Sequence, residues 1–380
     1  MTPEILYAEN SFAVIVKPAG LLSTGEGDGT VPGALQSQLG TLYPVHRLDR
    51  VVGGVMVYAR TPAAAAAHCA AVGKGQFRKT YLAVVPGETP DHGEWQDYLF
   101  KDSAQNKVFV VPTPRRGARE AALYFRTLET AANEGISLSK VQVTLLTGRS
   151  HQIRVQFASR GFPLVGDGKY GSRIKAPSPA LWSGQIGFPH PITGRDLTFC
   201  APPPVLFPFS LFSAPPEMEH KYLIRYPDID WLRRQDGARV REMLQTYLTA
   251  APGETRRTRA VREGEETAFF YTRKVRQSAL SAAEEERRIS AAEYETLLTE
   301  RDTTRNDIRK TRYSFPYGGH VMEVDVYPFW QDRAILEVEV RGEEETVLLP
   351  RGLHVIREVS ADKRYKNVNL AKEIPTDPLP

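Results

Sequence analysis

Apolar residues in the first two hundred positions come in short runs rather than long periodic stretches. Residues 13–16 (AVIV), 55–58 (VMVY), 80–85 (TYLAVV) and 141–146 (VQVTLL) are rich in β-branched and aromatic side chains and are bounded by glycine, proline or polar residues. Such runs predict strands. Residues 61–72 (TPAAAAAHCAAV) have a different texture and predict a helix, with Thr61 as N-cap and Pro62 in the first turn. Strands and helices do not alternate regularly, so the pattern is α+β rather than a wound parallel sheet.

From 217 onward the alternation is between charged and apolar residues. Glu217-Met218-Glu219-His220-Lys221, Arg257-Thr258-Arg259, Glu323-Val324-Asp325 and Glu337-Val338-Glu339-Val340 each read as a strand with one charged face. Residues 291–299 (AAEYETLLT) predict a helix capped by Ser290, with Glu293 placed to complete a capping box. Between the two textures lies APPPVLFPFSLFSAPPE (201–217), whose six prolines end regular structure and make a semi-rigid connector. The expected organisation is therefore two domains, 1–213 and 217–380, which suits a chain of 380 residues.

Bulk composition narrows the function classes. No apolar run approaches the ~18–20 residues that span a bilayer, and the N-terminus has no basic region followed by an apolar core. Two cysteines, Cys69 and Cys200, make neither a disulfide framework nor a four-ligand metal site, so a reducing cytoplasm is expected. The net charge of +4 is unevenly shared. Residues 1–213 hold 21 Lys+Arg against 15 Asp+Glu, and the remainder holds 28 against 30. A basic first half suits a polyanion.

Two stretches of that half concentrate chemistry. HRLDR (46–50) sets one carboxylate, Asp49, among His46, Arg47 and Arg50. GRSHQIRVQFASRGFPLVGDGKYG (148–171) packs Arg149, His151, Gln152 and Arg154 after an apolar strand and closes on tight turns. Cations and amide donors of this kind suit a pocket that grips a phosphodiester and a base edge. A nearby guanidinium keeps Asp49 ionised, and an ionised, oriented carboxylate is a nucleophile; the competing reading is an ion pair that fixes a loop. Neither motif offers a second catalytic carboxylate, which argues against paired acid/base work of the glycosidase kind. Gly161 and Gly166 have the spacing of a phosphate loop, but Asp167 stands where that loop needs lysine, which rules it out. Gly25, Gly27 and Gly29 read as a flexible turn.

Over residues 5–208 the chain resembles the RluA-type RNA pseudouridine synthases. ILYAENSFAVIVKPAGLLS (5–23), HRLDR followed by GGVMVYART (53–61), RKTYLAVVPG (78–87) and the 148–171 run match the family's motifs in order. The resemblance implies a mixed, largely antiparallel sheet that isomerises uridines in tRNA or rRNA without a cofactor. It implies Asp49 as the catalytic aspartate, Tyr81 as the active-site tyrosine and Arg154 as the partner of the aspartate. It makes His46, Arg47, Arg149, His151 and Gln152 the expected RNA contacts, Arg47 helping to extrude the uridine. The two histidines are expected to be structural or RNA contacts rather than acid/base groups. Tyr81 would stack on the uracil or accept a proton. Many members carry Thr-Ser where this chain has Val52 and Gly53, a departure that bears on substrate preference.

Over 217–371 the chain resembles the CYTH, or triphosphate tunnel, family. Glu217-x-Glu219-x-Lys221, QTYL, RRTR, YTRK, EVDVY, LEVEV and DKRYKNVNLA follow in family order. The resemblance implies an antiparallel β-barrel tunnel with flanking helices. It implies triphosphate contacts at Lys221, Arg257, Arg259, Lys274, Arg312 and Lys363, and Mg2+ or Mn2+ on Glu217, Glu219, Glu337 and Glu339, with Glu284, Glu286, Glu323 and Asp325 as further acidic positions. The expected function is an RNA pseudouridine synthase whose second domain binds or hydrolyses a triphosphate-bearing compound. The alternatives are a metal-dependent triphosphatase with an RNA-binding first module, and a second domain that only clamps triphosphate ends.

Overall fold

The computed structural model describes residues 2–212, 218–276, 282–342 and 344–379, with side chains throughout except at 275, 276 and 282–284. The chain divides into two compact units, Met1–Pro216 with Arg341–Thr346, and Glu217–Val340 with Val347–Pro380. Among the described residues no helix is long and apolar enough to cross a membrane.

The first unit contains strands β1 (Glu4–Ala8), β2 (Phe12–Lys17), β3 (Tyr43–Pro44), β4 (Gly53–Ala59), β5 (Arg78–Pro86), β6 (His92–Asp102), β7 (Lys107–Val111), β8 (Ala118–Asn133), β9 (Ile136–Leu145), β10 (Leu181–Pro189) and β11 (Asp196–Cys200). Its helices are α1 (Val31–Leu39), α2 (Pro62–Gly73) and α3 (Gln152–Ser159). The sheet runs β1-β2-β4-β10-β5-β9-β8-β6-β7, with β3 on β4 and β11 on β10. All its pairs are antiparallel except β4 with β10, which is parallel. The four strand runs read from the sequence are β2, β4, β5 and β9. Thr61 caps α2 as expected, its side chain accepting from Ala64 N.

The parallel junction explains the Gly53-Gly54 pair. Gly54 has φ 123°, and a Cβ there would lie 2.3 Å from Ser183 O. Only glycine allows that close approach with that dihedral. The chain can therefore leave the Asp49 loop and enter the centre of the sheet without a detour. All seven residues of β4 are buried, and Val55, Val57 and Met56 are fully so.

An acid-labile feature is built into this core. His68 on α2 is fully buried against the edges of Phe12, Phe77 and Phe188, and neither ring nitrogen has a hydrogen-bond partner among the described residues. Desolvation pushes its pKa down to about 4. The folded state binds His68 in its neutral form, so the stability it contributes is complete above pH 6.5 and is lost as pH falls toward 4. By linkage that loss approaches about 3 kcal/mol. His68→Leu should therefore flatten the fall in melting temperature between about pH 7 and pH 4.5. An unchanged pH slope in calorimetry would refute this account.

The second unit contains β12 (Met218–Arg225), β13 (Arg239–Leu248), β14 (Glu254–Glu263), β15 (Glu266–Arg276), β16 (Ala282–Ile289), β17 (Ile308–Tyr317), β18 (His320–Val326), β19 (Arg333–Val340) and β20 (Val355–Glu358). Helices α4 (Ile229–Arg233), α5 (Ala291–Leu298) and α6 (Asn367–Leu370) flank them. The nine strands form one antiparallel sheet in the order β16-β15-β14-β13-β17-β18-β19-β12-β20. Its end strands, β16 and β20, are not paired with each other among the described residues. The described sheet is therefore open, in place of the closed barrel that the resemblance implies. Ser290 caps α5 by accepting from Glu293 N. The capping box is only half formed, because the Glu293 carboxylate pairs with Arg287 instead.

One face of this sheet buries Ile224, Phe315, Val324, Leu336 and Val338 with Leu232 of α4. The other buries Leu223, Tyr247, Ile308, Tyr327 and Ile335 with Tyr365 and Leu370. Lys221, Arg257, Arg259, Arg312, Asp325 and Glu337 share this second face, because they lie at even steps from those core residues along a strand or opposite that face by register.

Candidate active site

The loop that carries Asp49 is held by backbone bonds. Ser23 Oγ donates to Leu48 O at 2.9 Å and accepts from Leu48 N at 3.0 Å. Gly20 N donates to Arg50 O at 2.7 Å, and Arg50 Nε returns to Gly20 O at 2.9 Å. Lys17 is fully buried and spends its ammonium on three carbonyls, those of Pro18, Leu21 and Arg50. Burial pushes its pKa down to about 8, against the pull of Asp49. Val52 N closes the turn on Asp49 O at 3.0 Å. Asp49 is thus presented from a fixed loop, with its side chain 27% exposed.

Arg154 comes to it from α3, which is buried on successive residues from Gln152 through Phe157. The guanidinium is shared between two carboxylates. Nε and NH2 clamp Asp167 at 2.6 and 2.8 Å, and NH1 donates to Asp49 Oδ2 at 3.1 Å. Burial works against the charge, but Asp167 and Asp49 outweigh it and raise the Arg154 pKa. Asp167 is 1% exposed, and fork-to-fork pairing of this kind fixes the plane of the arginine. Tyr170 adds its ring 5.1 Å from the Arg154 guanidinium carbon.

Tyr81 is buried on β5, opposite Ser183 of β10 and Val143 of β9. Desolvation, with Asp49 nearby, raises its pKa, so the phenol stays neutral at physiological pH. A neutral ring is suited to stacking and hydrogen bonding rather than to service as a phenolate base.

The expected RNA contacts divide. Arg47 and Arg149 are exposed, Arg149 with its Nε donating to Glu120 O at 2.8 Å. Gln152, an expected RNA contact, is 2% exposed. Its Oε1 accepts from Arg149 N and Thr147 Oγ1, and its Nε2 donates to Ala122 O, so it braces the loop from inside. His46 is likewise a strut. Nε2 accepts from Val57 N at 3.2 Å, and burial holds its pKa well below the usual histidine range. His151 lies beside the Asp49 carboxylate, with Nε2 3.7 Å from Asp49 Oδ2. Sequence reasoning gave no role to Lys17, Asp167 or Tyr170. The DGKYG segment (167–171) was the available signal for the last two.

The second unit brings another set of charges together. Lys221 Nζ lies 2.6 Å from Glu337 and 3.4 Å from Glu219. Arg312 bonds Asp325 through Nε and NH2 at 2.7 Å each, reaches Glu337 at 2.5 Å, and pairs with Glu323. Lys310, which the sequence did not single out, pairs with Asp325 in the core. Burial pushes Glu337 up, but Lys310, Lys221 and Arg312 together hold it well below the carboxylate range. Further along the same face, Arg259 pairs with Glu286 at 2.9 Å, and Arg257 NH1 lies 3.4 Å from Gln245 Oε1. Lys274 is exposed on β15. Lys363 is exposed on a short 3-10 turn, Lys363–Tyr365, outside this network.

Among the described residues the acidic positions are drawn into ion pairs or lie apart. Glu337 is occupied by Lys221 and Arg312. Glu219 and Glu339 face each other across β12 and β19 and are both exposed. No group of three or more His, Cys, Asp or Glu side chains is placed to hold a metal among the described residues. Glu217 and the Glu284 side chain lie outside the described residues.

Comparison with known proteins agrees with the first constellation. A sequence model of the family "RNA pseudouridylate synthase" matches residues 11–159, which include Asp49, Tyr81 and Arg154. An uncharacterised RNA pseudouridine synthase of Bacillus subtilis, YhcT, is 32% identical over 216 residues, covering 53% of this chain and 68% of the relative. The chain spans about two thirds of the length of several such curated relatives. Among solved structures, human RNA Pseudouridylate Synthase Domain Containing 1 aligns with a TM-score of 0.48 and 23% identity, over 54% of this chain and 85% of that one. The inorganic triphosphatase NE1496 aligns with a TM-score of 0.31 and 29% identity, over 43% of this chain and 99% of that one. With the family's region containing the assembled Asp49–Arg154 pair, and a relative matched over more than two thirds of its length, the chain belongs to the RNA pseudouridine synthase family.

Proposed function

We propose that the first unit converts uridine to pseudouridine in tRNA or rRNA, with Asp49 as the acting carboxylate. The observation that supports this most directly is the clamp on Asp49. One oxygen is tied to Arg154, which is itself immobilised by Asp167, while the carboxylate stays partly open to solvent. Such a group is oriented and reachable. The target uridine leaves its stack to reach it. Asp49 then acts at the sugar or the base, and the bond between N1 and C1′ breaks. The uracil turns, C5 bonds to C1′, C5 loses its proton and N1 gains one. Atoms and charge balance without a cofactor. Tyr81 supports the uracil as a neutral ring, and exposed Arg47 and Arg149 meet the phosphodiester. The test is pseudouridine mapping in unmodified transcripts, with Asp49→Asn as the control.

For the second unit, we propose binding of a triphosphate-bearing compound on the charged sheet face. Support comes from Lys221, Arg257, Arg259, Lys310 and Arg312, which share one face of one sheet by register. Arginine and lysine gathered on one face of an antiparallel sheet suit a polyphosphate. Lys221, Lys310 and Arg312 are matched by Glu337, Asp325 and Glu323, and Arg259 by Glu286, so a polyphosphate would compete with these carboxylates for the cations. Because the described carboxylates do not form a metal site, no step is routed through Mg2+ or Mn2+. Titration calorimetry with inorganic tripolyphosphate, with and without Mg2+, tests the reading. Arg257→Ala with Arg259→Ala should weaken binding by more than about tenfold, as expected for two charge-assisted contacts. Absence of binding by the wild-type chain under both conditions overturns it.

A further inference from the structure

The Asp49 carboxylate is approached unevenly. Arg154 NH1 and His151 Nε2 both address Oδ2, at 3.1 and 3.7 Å. Oδ1 has no hydrogen-bond or ion-pair partner among the described residues. His151 stands at the N-terminus of α3 with φ 51°, a left-handed conformation that costs a residue with a Cβ. The imidazole of this residue lies toward Asp49.

The other side of the ring is also specified. His151 Nδ1 lies 2.7 Å from Tyr170 Oη, and that hydroxyl oxygen accepts from Val108 N at 3.0 Å. Val108 belongs to β7, and the Tyr170 hydroxyl still has its own proton to donate to Nδ1. At the other nitrogen the acceptor-only carboxylate of Asp49 faces Nε2. Together the two contacts favour a neutral ring with its proton on Nε2. The charges around the ring are Asp49 from the loop, Arg154 from α3, and Asp167 and Lys169 from the DGKYG turn. Desolvation lowers the His151 pKa, opposed by Asp49 and reinforced by Arg154, which favours the neutral form. Tyr170 is held protonated in the same way, its pKa raised chiefly by burial.

We propose that His151 is a positioning residue for Asp49. Its tautomer is set by Tyr170, it presents Nε2–H to Oδ2 alongside Arg154, and this leaves Oδ1 as the oxygen that meets the nucleotide. The inference rests on Asp49 being the acting carboxylate. The 3.7 Å separation is longer than a hydrogen bond, and catalytic contacts of this kind tighten when substrate closes the site. His151 then acts by holding the carboxylate plane rather than by accepting or releasing a proton.

Two measurements on the full chain test this. Long-range proton–nitrogen NMR on histidine-labelled protein reads the tautomer directly and needs no RNA. The signals of the eight histidines are separated by the loss of one in His151→Gln. His151 should be neutral with the proton on Nε2 near neutral pH, and Tyr170→Phe should shift it toward a tautomer mixture. An imidazolium, or a proton on Nδ1, overturns the proposal.

The second measurement is single-turnover tritium release from unmodified tRNA and rRNA transcripts labelled at uridine C5. His151→Leu should slow the step about 10- to 100-fold, the worth of one hydrogen bond to a charged group, with RNA affinity within about twofold. His151→Gln, whose amide can still donate, should recover much of the rate. If both variants instead lose RNA affinity and keep the saturated rate, His151 is an RNA contact and the proposal fails. Full activity of Asp49→Asn would instead remove the reading of Asp49 itself. A dead Asp49→Asn beside an unaffected His151→Leu removes only the positioning role.

Discussion

Replacing Asp49 by asparagine abolishes pseudouridine formation at every site the wild-type chain modifies, while RNA affinity stays within a few-fold. The substitution keeps the shape of the side chain and removes its charge and its nucleophilic oxygen. The amide oxygen of the asparagine can still accept a bond from Arg154 NH1, and the other two arginine bonds go to Asp167, so the site should keep its geometry. The loop itself hangs on Ser23, Lys17 and Gly20, none of which touches the carboxylate. Loss of an acting carboxylate costs a rate factor of at least about a thousand in enzymes that depend on one. Mapping pseudouridine at single-nucleotide resolution in unmodified tRNA and rRNA transcripts checks this and names the substrate in the same experiment. Undiminished modification by the variant would sink the assignment of Asp49.

The second large effect is expected in the other unit. Asp325 is 0% exposed and neutralises both Lys310 and Arg312. Glu337 and Glu219 pair with Lys221, and Glu323 and Glu337 with Arg312, so Asp325 is the carboxylate that pairs with Lys310. Asp325→Ala leaves Lys310 buried without that carboxylate. Removing one partner of a buried pair typically costs about 3–5 kcal/mol, because the survivor stays desolvated and unpaired. The unfolding transition of the second unit should move sharply down in calorimetry or urea titration. Replacing both partners, Asp325→Leu with Lys310→Met, should recover most of the loss, since an apolar pair of similar volume avoids the desolvation cost. An unshifted transition in Asp325→Ala would mean that the cluster is solvated and contributes little. Pseudouridine formation by the single variant serves as the control for the first unit.

These experiments also bear on how much of the protein could be read before it was folded. The cores of β2, β4, β5 and β9 were legible because β-branched and aromatic runs bounded by turn residues leave few alternatives. The N-caps at Thr61 and Ser290 were legible for a local reason: the bond runs from a side chain to a backbone amide three residues on. Helix α3 was not. Six consecutive residues from Gln152 to Phe157 are buried, so it carries no polar stripe and shows no helical period. Arg154 reaches Asp49 only because that helix forms.

The sequence by itself determined the chemistry on offer. A lone carboxylate among arginines, a tyrosine on an apolar strand, and charged faces on alternating strands are properties of residue type and spacing. It also determined the two textures of the chain and the proline-rich seam between them. The tertiary structure alone decided the partnerships, because these join residues far apart in the chain. Asp167 clamps Arg154, whose third arm meets Asp49 from 105 residues away. Tyr170 receives Val108 N–H and meets His151 Nδ1. Gln152 and His46 turn inward as struts although their neighbours face the site. Lys310 becomes tolerable in the core because Asp325 lies against it. A motif records which groups are present; which oxygen, tautomer or counter-charge each one meets depends on distances that only the packed fold sets.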